Sequence, residues 1–588
     1  MVRFKRHDNE NLITGRILSR AGKANGKYKH HWNVEDLQTG HKQSENLEEV
    51  TLLEQVSDEV LDNRDNEVET YMVTIPYWRY HEKECIDAKQ LELEKFDSFD
   101  VYEEVKDEGQ TTIGCRWVLT EKFNDDKKVV KARLCIRGDM EENKEIRTDS
   151  PTVQKNNINS LLVVAATEGW NITTSDVTAA FLQSEMIQRD VYIKPPPERR
   201  VPGVIWKLKR TAYGLKDASR GFYLNFSGKL QDFGCEKSLL DPAMFIYFEE
   251  TNKSEFSRKP AGIAVTHVDD ILHSGNEEFN KKVMKPLKRS FKFGSEEKGQ
   301  FRYVGLNMKQ TESDITVDQR HYVSNMKEPD LSNLSHLQSS DILDDYGQTE
   351  FRSAVAKLAT IAYTSRPDYC FEVKSLSCKY GKAKKSDLRA VARKIVLLKA
   401  EEPMQLKYPD MGNVEDWILL GFGDAGIRSM TDKVTSVGGK IILLCNRKTG
   451  NAAVLNWRSK KLRRKVTSSL AGECLAMIGV IGELVYIKTV FSQIYGQRVQ
   501  EIPTIVVTDC RNLEEAVYSS SLVEDRWLIT DIAAIKEALE KKEITAVRRV
   551  PSERMLANCL TKSGASGEEL LSVLRTGKYE VPRDWLQT

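Results

Sequence analysis

The stretch Val265-Thr-His-Val-Asp-Asp-Ile-Leu272 sets two adjacent aspartates, Asp269 and Asp270, between apolar residues. The apolar flanks predict two short strands, with the acid pair at the tip of a hairpin. Neighbouring carboxylates repel one another, and burial raises that cost unless a cation neutralises them. The stretch therefore predicts a metal-binding turn, although an isolated Asp-Asp pair is more often a solvated turn.

A third acid suits the same chemistry. Asp176 ends the β-branched run in Asn171-Ile-Thr-Thr-Ser-Asp-Val-Thr-Ala-Ala-Phe181 and precedes a predicted helix. Mg²⁺ favours a few carboxylates together with water and substrate phosphates. Two such ions, about 3.5–4 Å apart, can stabilise the attacking and leaving oxygens of a phosphoryl transfer. Asp176, Asp269 and Asp270 are therefore candidate ligands of one metal site.

Length and composition predict a chain of several packed globular domains. The chain has 588 residues, of which 40% are hydrophobic and 30% charged. The apolar runs Ser160 to Thr167 and Gly439 to Cys445 fall short of the ~20 residues that cross a bilayer, so we expect no membrane-spanning helix. Residues Met1 to Glu10 contain no apolar signal region. Ten scattered cysteines without a CxxC pair predict reduced thiols.

Charge is strongly segregated along the chain, although the net charge is +1. Ser44 to Thr70 holds ten acidic residues and one basic residue, which predicts a solvated linker. Val201 to Leu230 holds six Lys/Arg and one Asp with interleaved aromatic residues, and Asn456 to Lys465 holds six basic residues and no acid. Such segments suit a polyphosphate with stackable bases, but solvated lysine faces around core aromatics explain them equally well.

The C-terminal region repeats the carboxylate pattern with different spacing. Strands are predicted at Leu419 to Gly423, Gly438 to Asn446 and Ala452 to Trp457, followed by a helix from Ser469, a strand at Thr504 to Val507 and a further helix. This order predicts an α/β domain with an initially antiparallel sheet. Asp424 and Asp509 follow strands and Glu473 lies on the helix, so these acids are candidates for a second metal site.

Several motifs resemble, in their order, the reverse transcriptases of copia-type LTR retrotransposons. The resemblance covers about residues 96 to 565. It implies an α+β multidomain fold, with a right-hand polymerase of palm, fingers and thumb followed by a ribonuclease H-like α/β domain. The motifs are Arg116-Trp-Val118, Lys131-Ala-Arg-Leu-Cys-Ile-Arg137, Ser150-Pro-Thr-Val153, Asp176-Val177, Ala180-Phe-Leu182, Val191-Tyr-Ile-Lys-Pro-Pro196, Trp206-Lys-Leu208, Tyr213-Gly-Leu-Lys216, Asp241-Pro242, Val268-Asp-Asp-Ile-Leu272 and Ser365-Arg-Pro-Asp368.

The resemblance implies that Asp176, Asp269 and Asp270 hold two Mg²⁺ ions, which activate a primer 3′-hydroxyl and support the departing pyrophosphate. It also implies that Phe181 lies against the sugar and rejects a ribose 2′-hydroxyl. The alternative for Phe181 is a core phenylalanine.

Further nucleotide contacts are implied on either side of the acids. Lys131 and Arg133 would neutralise the incoming triphosphate from the fingers. Gly214 and Lys216 would pack against template and nucleotide, with a plain helix start as the alternative. His267 stands where many members of the family carry Tyr, which we interpret as a tolerated variation.

The blocks Gly423-Asp-Ala425, Ala471-Gly-Glu473 and Thr508-Asp509 resemble the ribonuclease H domain of the same family. The resemblance implies that Asp424, Glu473 and Asp509 hold paired Mg²⁺ and activate water against an RNA phosphodiester. The sequence departs from the family at Asn558, where an acid is usual. An amide keeps an oxygen ligand but removes a negative charge, so we expect weaker binding of the second ion.

The N-terminal residues read as short strands broken by turns, and Lys29-His-His-Trp-Asn-Val34 resembles the small SH3-like β-barrel that follows an integrase core. The predicted domains are this barrel at 1–55, an acidic linker at 56–95, polymerase fingers and palm at 96–335, a helical thumb or connection at 336–412, the ribonuclease H-like domain at 413–565 and a C-terminal tail at 566–588.

These implications describe an RNA-directed DNA polymerase with an associated ribonuclease H. Its expected partners are an RNA template, a DNA primer, an RNA/DNA hybrid, deoxynucleoside triphosphates (dNTPs) and other Pol-derived domains, and no membrane. The family resemblance suggests a cytoplasmic particle with later nuclear delivery. The main alternative is a catalytically impaired, retrotransposon-derived nucleic-acid-binding protein, for which Asn558 is the direct hint; a nuclease without polymerase activity is a third possibility.

Overall fold

The computed structural model describes the backbone of residues 2–5, 12–20, 31–36, 42–46, 51–52, 73–124, 127–141, 145–249, 258–430, 434–466, 468–520 and 526–586. The chain divides into two compact units, residues 1–67 and residues 68–588. Mixed helices and strands run through the larger unit, which confirms the predicted α+β content.

The smaller unit contains an antiparallel sheet. Its strands, in sheet order, are Lys42–Asn46, His31–Asp36, Leu12–Arg20, Val2–Lys5 and Thr51–Leu52. The closure of this sheet into an SH3-like barrel stays a prediction. Most of the acidic segment after Leu52 lies outside the described residues.

The predicted linker at 56–95 is wrong over its last part, because the structure has a helix at Lys83–Ser98. Cys85, Leu93 and Phe96 are buried on one face of this helix. Their spacings of eight and three residues place them in one apolar stripe, whose burial outweighs the acidic composition on which the linker prediction rested. The stripe packs near the long hairpin, which is formed by Cys115–Asn124 and Lys127–Ile136.

A small sheet lies beside the long hairpin. Trp206 is fully buried in it and stacks on Tyr102, with ring centroids 3.7 Å apart. The strands of this sheet, in order, are Tyr102–Lys106, Val204–Leu208, Tyr192–Ile193 and Thr112–Ile113. The long hairpin also pairs with Val73–Thr74.

The central sheet is buried on both faces. Ile263, Val265 and Leu272 point to one apolar cluster with the helix Lys155–Glu168, whereas Ala264 and Ile271 point to another with the helix Ala218–Asp232. This alternation follows from the two-residue period of a strand. The strands, in sheet order, are Glu236–Lys237, Met244–Phe248, Pro260–His267, Asp270–Gly275, Ile172–Val177 and Phe293–Lys298. Helical turns at Glu277–Phe279, Asn280–Met284 and Lys285–Ser290 cover the second face.

The segment predicted as a helical thumb is mainly helical, but it ends in the strand Leu406–Pro409. That strand pairs with Asp314–Asp318, so a boundary at residue 335 divides one sheet. The other strands of this sheet are Gln300–Tyr303 and Leu306–Gln310. The helices are Arg320–Asn325, Asp345–Ala362, Cys370–Ser377 and Lys385–Ala400.

The C-terminal sheet begins antiparallel, as the order of strands and helices predicts, and the structure shows that it ends parallel. Its strands, in sheet order, are Ala452–Lys461, Val437–Asn446, Trp417–Gly426, Thr504–Thr508 and Ala546–Arg549. The helices of this region are Ser469–Tyr495, Arg511–Tyr518, Arg526–Glu540 and Glu568–Thr576. The helix Glu568–Thr576 and the buried Trp585 show that the described residues between 566 and 586 are packed, so the prediction of a tail is wrong there.

The helix Ser469–Tyr495 is, in the described part of the chain, long and apolar enough to cross a membrane by length and composition alone. The apolar runs in the sequence did not predict it. Val480, Leu484 and Phe491 of this helix are buried in the same apolar cluster as the C-terminal sheet. A helix that is apolar on most sides is also what a core position requires.

Candidate active sites

The structure brings together the acids of the central sheet. Asp176 lies opposite Asp270 in the register of two antiparallel strands. The backbone N–H of Val177 donates to the carbonyl oxygen of Asp269 over 3.1 Å. Residues that are separated by more than ninety positions therefore meet at one edge of the sheet, where all three acidic side chains are partly exposed.

A tight turn presents the acid pair. Val268 has φ 57°, a left-handed conformation that is uncommon for a β-branched residue and costs about 1–3 kcal/mol. His267 pairs with Asp270 across this turn and forms an isolated bridge with Thr152. The Ser150-Pro-Thr-Val153 block therefore contacts the strand that leads into the turn and supports it. His267 lies at the base of the turn, directly opposite Asp270.

The carboxylates of the central site are spread more widely than those of the C-terminal domain. In the part of the chain that the structure describes, the oxygens of Asp176, Asp269 and Asp270 do not form a group within 4.8 Å of one another. Oδ2 of Asp176 lies 3.0 Å from the position that a Cβ at Gly294 would take. A side chain at 294 would therefore press on that carboxylate.

One wall near the central site is formed by Phe181, Tyr213 and Arg133. The Phe181 and Tyr213 rings meet edge to face with centroids 5.4 Å apart, and the Arg133 guanidinium lies 5.7 Å from the Tyr213 ring. Burial raises the pKa of the Tyr213 phenol, and the nearby Asp269 raises that pKa too, whereas Arg133 lowers it. Arg133 and Lys131 are exposed on the same face of the long hairpin. The structure thus links a predicted cation to a predicted metal ligand through Tyr213, which the sequence analysis quoted but gave no role.

Gly214 and Lys216 contact the end of the long hairpin in this structure. Gly214 has φ 88°, and a Cβ there would lie 2.2 Å from the carbonyl oxygen of Ile136. The backbone N–H of Ile136 donates to the carbonyl oxygen of Tyr213 over 2.7 Å. Lys216 donates from Nζ to the carbonyl oxygen of Glu141 over 3.1 Å. The close backbone approach at Gly214 in this structure is to Ile136, and the contact of this glycine with template or nucleotide stays a prediction.

The C-terminal domain brings a second set of acids together closely. Oxygen atoms of Asp424, Glu473 and Asp509 all lie within 4.8 Å of one another. Asp424 is fully buried and Glu473 is 6% exposed. Glu473 Oε1 accepts from the backbone N–H of Ala425 over 3.2 Å, but its buried Oε2 has no hydrogen-bond partner among the described residues.

The electrostatics of this centre favour a bound cation. Burial, followed by the charges of Asp424 and Asp509, raises the pKa of Glu473 to about 9. Burial also raises the pKa of Asp424. Hard divalent cations take oxygen ligands and would relieve this repulsion. The unpartnered oxygen and the all-carboxylate donor set therefore fit a magnesium ion.

A loop beyond the acids supplies contacts that the sequence analysis missed. The Thr561 hydroxyl donates to Asp424 Oδ2, and Lys562 Nζ lies 3.1 Å from Asp424 Oδ1. Lys562 also donates to Asn558 Oδ1 over 2.7 Å. Asn558 is the residue of this loop that the sequence predicts as a ligand, because the sequence does not show that Lys562 turns back toward Asp424.

A basic groove of about 420 Å³ adjoins the C-terminal centre. It reaches Gly439, which lies opposite Asp424 in the sheet. Lys440 forms an ion pair with Glu483, and Arg464 forms one with Asp531. The cationic residues that line the groove are Lys440, Arg458, Lys460, Lys461, Arg463 and Arg464.

Residues 97–337 match a family described as reverse transcriptase (RNA-dependent DNA polymerase). The chain is 27% identical over 480 residues to the retrovirus-related Pol polyprotein from transposon RE1 of Arabidopsis thaliana, and 25% identical over 434 residues to that from transposon TNT 1-94 of Nicotiana tabacum. These alignments cover 77% and 69% of the chain. The chain spans 31% of the length of each relative.

Solved structures with some likeness include a foamy viral protease-reverse transcriptase in complex with double-stranded DNA, at 13% identity and a TM-score of 0.46 over 83% of this chain and 73% of that one. Another is LC11-RNase H1 in complex with an RNA/DNA hybrid, at 15% identity and a TM-score of 0.19 over 26% of this chain and 99% of that one.

Proposed function

We propose that this chain, which carries the reverse transcriptase region of a copia-type Pol polyprotein, is an RNA-directed DNA polymerase with an associated ribonuclease H. The plant transposon relatives confirm the copia-type resemblance that the sequence motifs indicated. The observation that carries the proposal is the meeting of Asp176 with Asp269 and Asp270 at one sheet edge inside the matched region.

In the polymerase half, Asp176, Asp269 and Asp270 would hold Mg²⁺. When bound, paired Mg²⁺ supplies activation of the primer 3′-hydroxyl and stabilisation of the pyrophosphate leaving group. Arg133, exposed beside Tyr213, would contact the negatively charged triphosphate of an incoming dNTP. Phe181 would limit the space beside the sugar, since its ring is held by Tyr213.

In the nuclease half, Asp424, Glu473 and Asp509 would hold Mg²⁺ against an RNA phosphodiester. The basic groove that adjoins Asp424 supports this assignment, because phosphate backbones bind where lysine and arginine cluster. We propose that the groove contacts the RNA/DNA hybrid. RNA template and DNA primer are the corresponding partners of the polymerase half.

The wider setting is proposed from the family resemblance of the sequence and from the length of the relatives. Since the chain spans under a third of their length, other Pol-derived domains are proposed partners. The N-terminal sheet is proposed to be an SH3-like barrel of the kind that follows an integrase core. A cytoplasmic particle with later nuclear delivery is the proposed location.

A second candidate function is nucleic-acid binding without catalysis, and Asn558 favours it. The Asn558 amide donates to the Ser552 carbonyl oxygen over 2.7 Å and accepts from Lys562, so its side chain is engaged in a polar network that a metal ligand would have to leave. This observation bears on the nuclease half only.

Primer extension on poly(rA)/oligo(dT) tests the polymerase assignment. We expect dNTP- and Mg²⁺-dependent extension by the wild type and a loss of more than about 100-fold in Asp269→Asn, because one ligand of the catalytic ions loses its charge. Asp232→Asn, an exposed acid on the helix Ala218–Asp232 paired with Lys229, is the matched control and should extend normally. Equal extension by wild type and Asp269→Asn would refute the assignment. Wild type that binds the hybrid in fluorescence anisotropy but does not extend it would establish the binding protein instead.

A further inference from the structure

The Lys562 ammonium bridges two oxygens at the edge of the C-terminal centre. Nζ lies 3.1 Å from Oδ1 of Asp424 and 2.7 Å from Oδ1 of Asn558. A carboxylate and an amide carbonyl are both oxygen ligands that a hard divalent cation accepts. A positively charged side chain therefore already lies between two groups that could otherwise chelate a metal ion.

The amide at 558 is oriented for this contact. Its Nδ2 donates to the Ser552 carbonyl oxygen over 2.7 Å, which turns Oδ1 toward Lys562. The Ser552 hydroxyl in turn donates to Oδ2 of Asp509 over 2.8 Å. Hydrogen bonds thus join Asp509, Ser552, Asn558, Lys562 and Asp424 into one chain along the rim of the centre.

Some carboxylate oxygens of the centre accept hydrogen bonds from the loop, and one has no partner among the described residues. Oδ2 of Asp424 accepts from the Thr561 hydroxyl, so both oxygens of Asp424 have partners on the loop. Oε2 of Glu473 is buried and unpartnered among the described residues. The open coordination position is therefore on the Glu473 side, away from Lys562.

The charge of the centre also favours one divalent cation over two. The carboxylates of Asp424, Glu473 and Asp509 with the ammonium of Lys562 carry a formal charge of minus two. One divalent cation cancels that charge, whereas a second one would leave an excess positive charge around two nearly buried acids.

We propose that Lys562 is a built-in cation of the C-terminal centre, which takes the place of a second metal ion, so that the centre binds one divalent cation. The inference rests on the nuclease half of the proposed function and revises the expectation of two ions there. Lys562 acts as a positioning residue, because it orients Asp424 and Asn558.

The test counts Mn²⁺ by electron paramagnetic resonance of the free ion, in the full chain with Asp269→Asn and Asp270→Asn to remove binding at the central site. Glu473→Gln in this background gives the count without the C-terminal centre. We expect one Mn²⁺ above that count with Lys562 present, and a second one, or at least about tenfold tighter second-site binding, in Lys562→Met.

Two further variants keep the test decisive. Lys562→Arg retains a cation and should keep the count at one. Lys541→Met removes an exposed lysine that pairs with Glu537 in the same domain, and should also leave it at one. Thermal unfolding monitored by circular dichroism checks that each variant folds, and Lys562→Gln, which also removes the charge but keeps a polar side chain, replaces Lys562→Met if that variant does not fold.

The outcomes distinguish a failure of the proposed role of Lys562 from a failure of the proposed ribonuclease H activity. An equal count in Lys562 and Lys562→Met chains, with RNA cleavage in the hybrid intact, would overturn the role of Lys562 and leave the nuclease. Two Mn²⁺ ions above the Glu473→Gln count in the chain with Lys562, or in Lys562→Arg, would also overturn the role of Lys562 and leave the nuclease. No Mn²⁺ above the Glu473→Gln count in any variant, together with no hybrid cleavage, would overturn both.

Discussion

Replacing Gly214 with alanine should loosen the junction between the long hairpin and the central region, and Gly109→Ala provides the matched control. Gly214 has φ 88° and Gly109 has φ 89°, so an L-residue pays the same backbone cost of about 1–2 kcal/mol at either position. A Cβ at 109 meets nothing within 4 Å, whereas one at 214 would lie 2.2 Å from the Ile136 carbonyl oxygen. Backbone cannot yield as a flexible side chain can, and overpacking costs about 1–3 kcal/mol more.

Hydrogen exchange measures this difference locally, which suits a chain of several domains. The Ile136 N–H donates to the Tyr213 carbonyl oxygen, so it reports opening of the junction. We expect the peptide covering Ile136 to exchange at least about 5- to 150-fold faster in Gly214→Ala than in wild type, since the steric cost of about 1–3 kcal/mol adds to the backbone cost at this position. Gly109→Ala should leave that peptide unchanged.

The same variant should weaken nucleotide binding, because Tyr213 holds both Phe181 and Arg133. We expect a higher KM for dNTP in primer extension by Gly214→Ala and an unchanged KM for Gly109→Ala. Equal exchange at Ile136 in the two variants would refute the steric argument. Faster exchange with an unchanged KM would refute the link from the junction to the nucleotide.

Two other predictions concern the groove and the core of the central sheet. Lys460→Ala with Arg463→Ala should weaken binding of an RNA/DNA hybrid and lower the slope of log K against log salt by about 2, measured by fluorescence anisotropy; Lys541→Ala is the control, and an unchanged slope would exclude a groove contact with the backbone. Burial lowers the pKa of His273 to about 3 from 6.5, with Lys288 and Lys298 lowering it further and Glu296 opposing them. The unfolded chain binds a proton at His273 below about pH 6.5, whereas the folded chain does not. The contribution of His273 to stability should therefore be constant above about pH 6.5 and fall as pH drops toward 3, by at most about 5 kcal/mol. His273→Leu should show a smaller fall in unfolding temperature between pH 7 and pH 4, and an identical fall in both proteins would contradict the assignment.

Local patterns carried much of the fold prediction. The two-residue alternation of apolar residues identified the strands around Asp269 and Asp270, and the order of elements after Trp417 predicted the mixed C-terminal sheet. These patterns suffice where one face of an element must be buried, because burial of apolar surface imposes the period. Composition predicted the fold less well. The acidic residues of the segment led to a linker prediction, although the apolar stripe of Lys83–Ser98 forms a packed helix.

The residue types at the candidate sites could also be recognised before the fold was known. Asp424, Glu473 and Asp509 were singled out from their positions at strand and helix ends, and they lie within 4.8 Å of one another. The motif around Gly214 predicts a close backbone approach, and the structure adds that Ile136 is one group that approaches it. A glycine's need for space is local, whereas the identity of its neighbour depends on which distant strand arrives there.

The amino-acid sequence by itself determined the strands around Asp269 and Asp270 and the order of elements around Asp424, Glu473 and Asp509, because those features follow from residues a few positions apart. Only the tertiary structure decided that Asp176 pairs with Asp270, that Tyr213 joins Arg133 to Phe181, and that Lys562 returns to Asp424. Contacts of this kind join residues far apart in the chain, and they depend on sheet order and loop path. The balance of charge at the C-terminal centre is therefore a property of the fold, since its cation and its carboxylates come from separate elements.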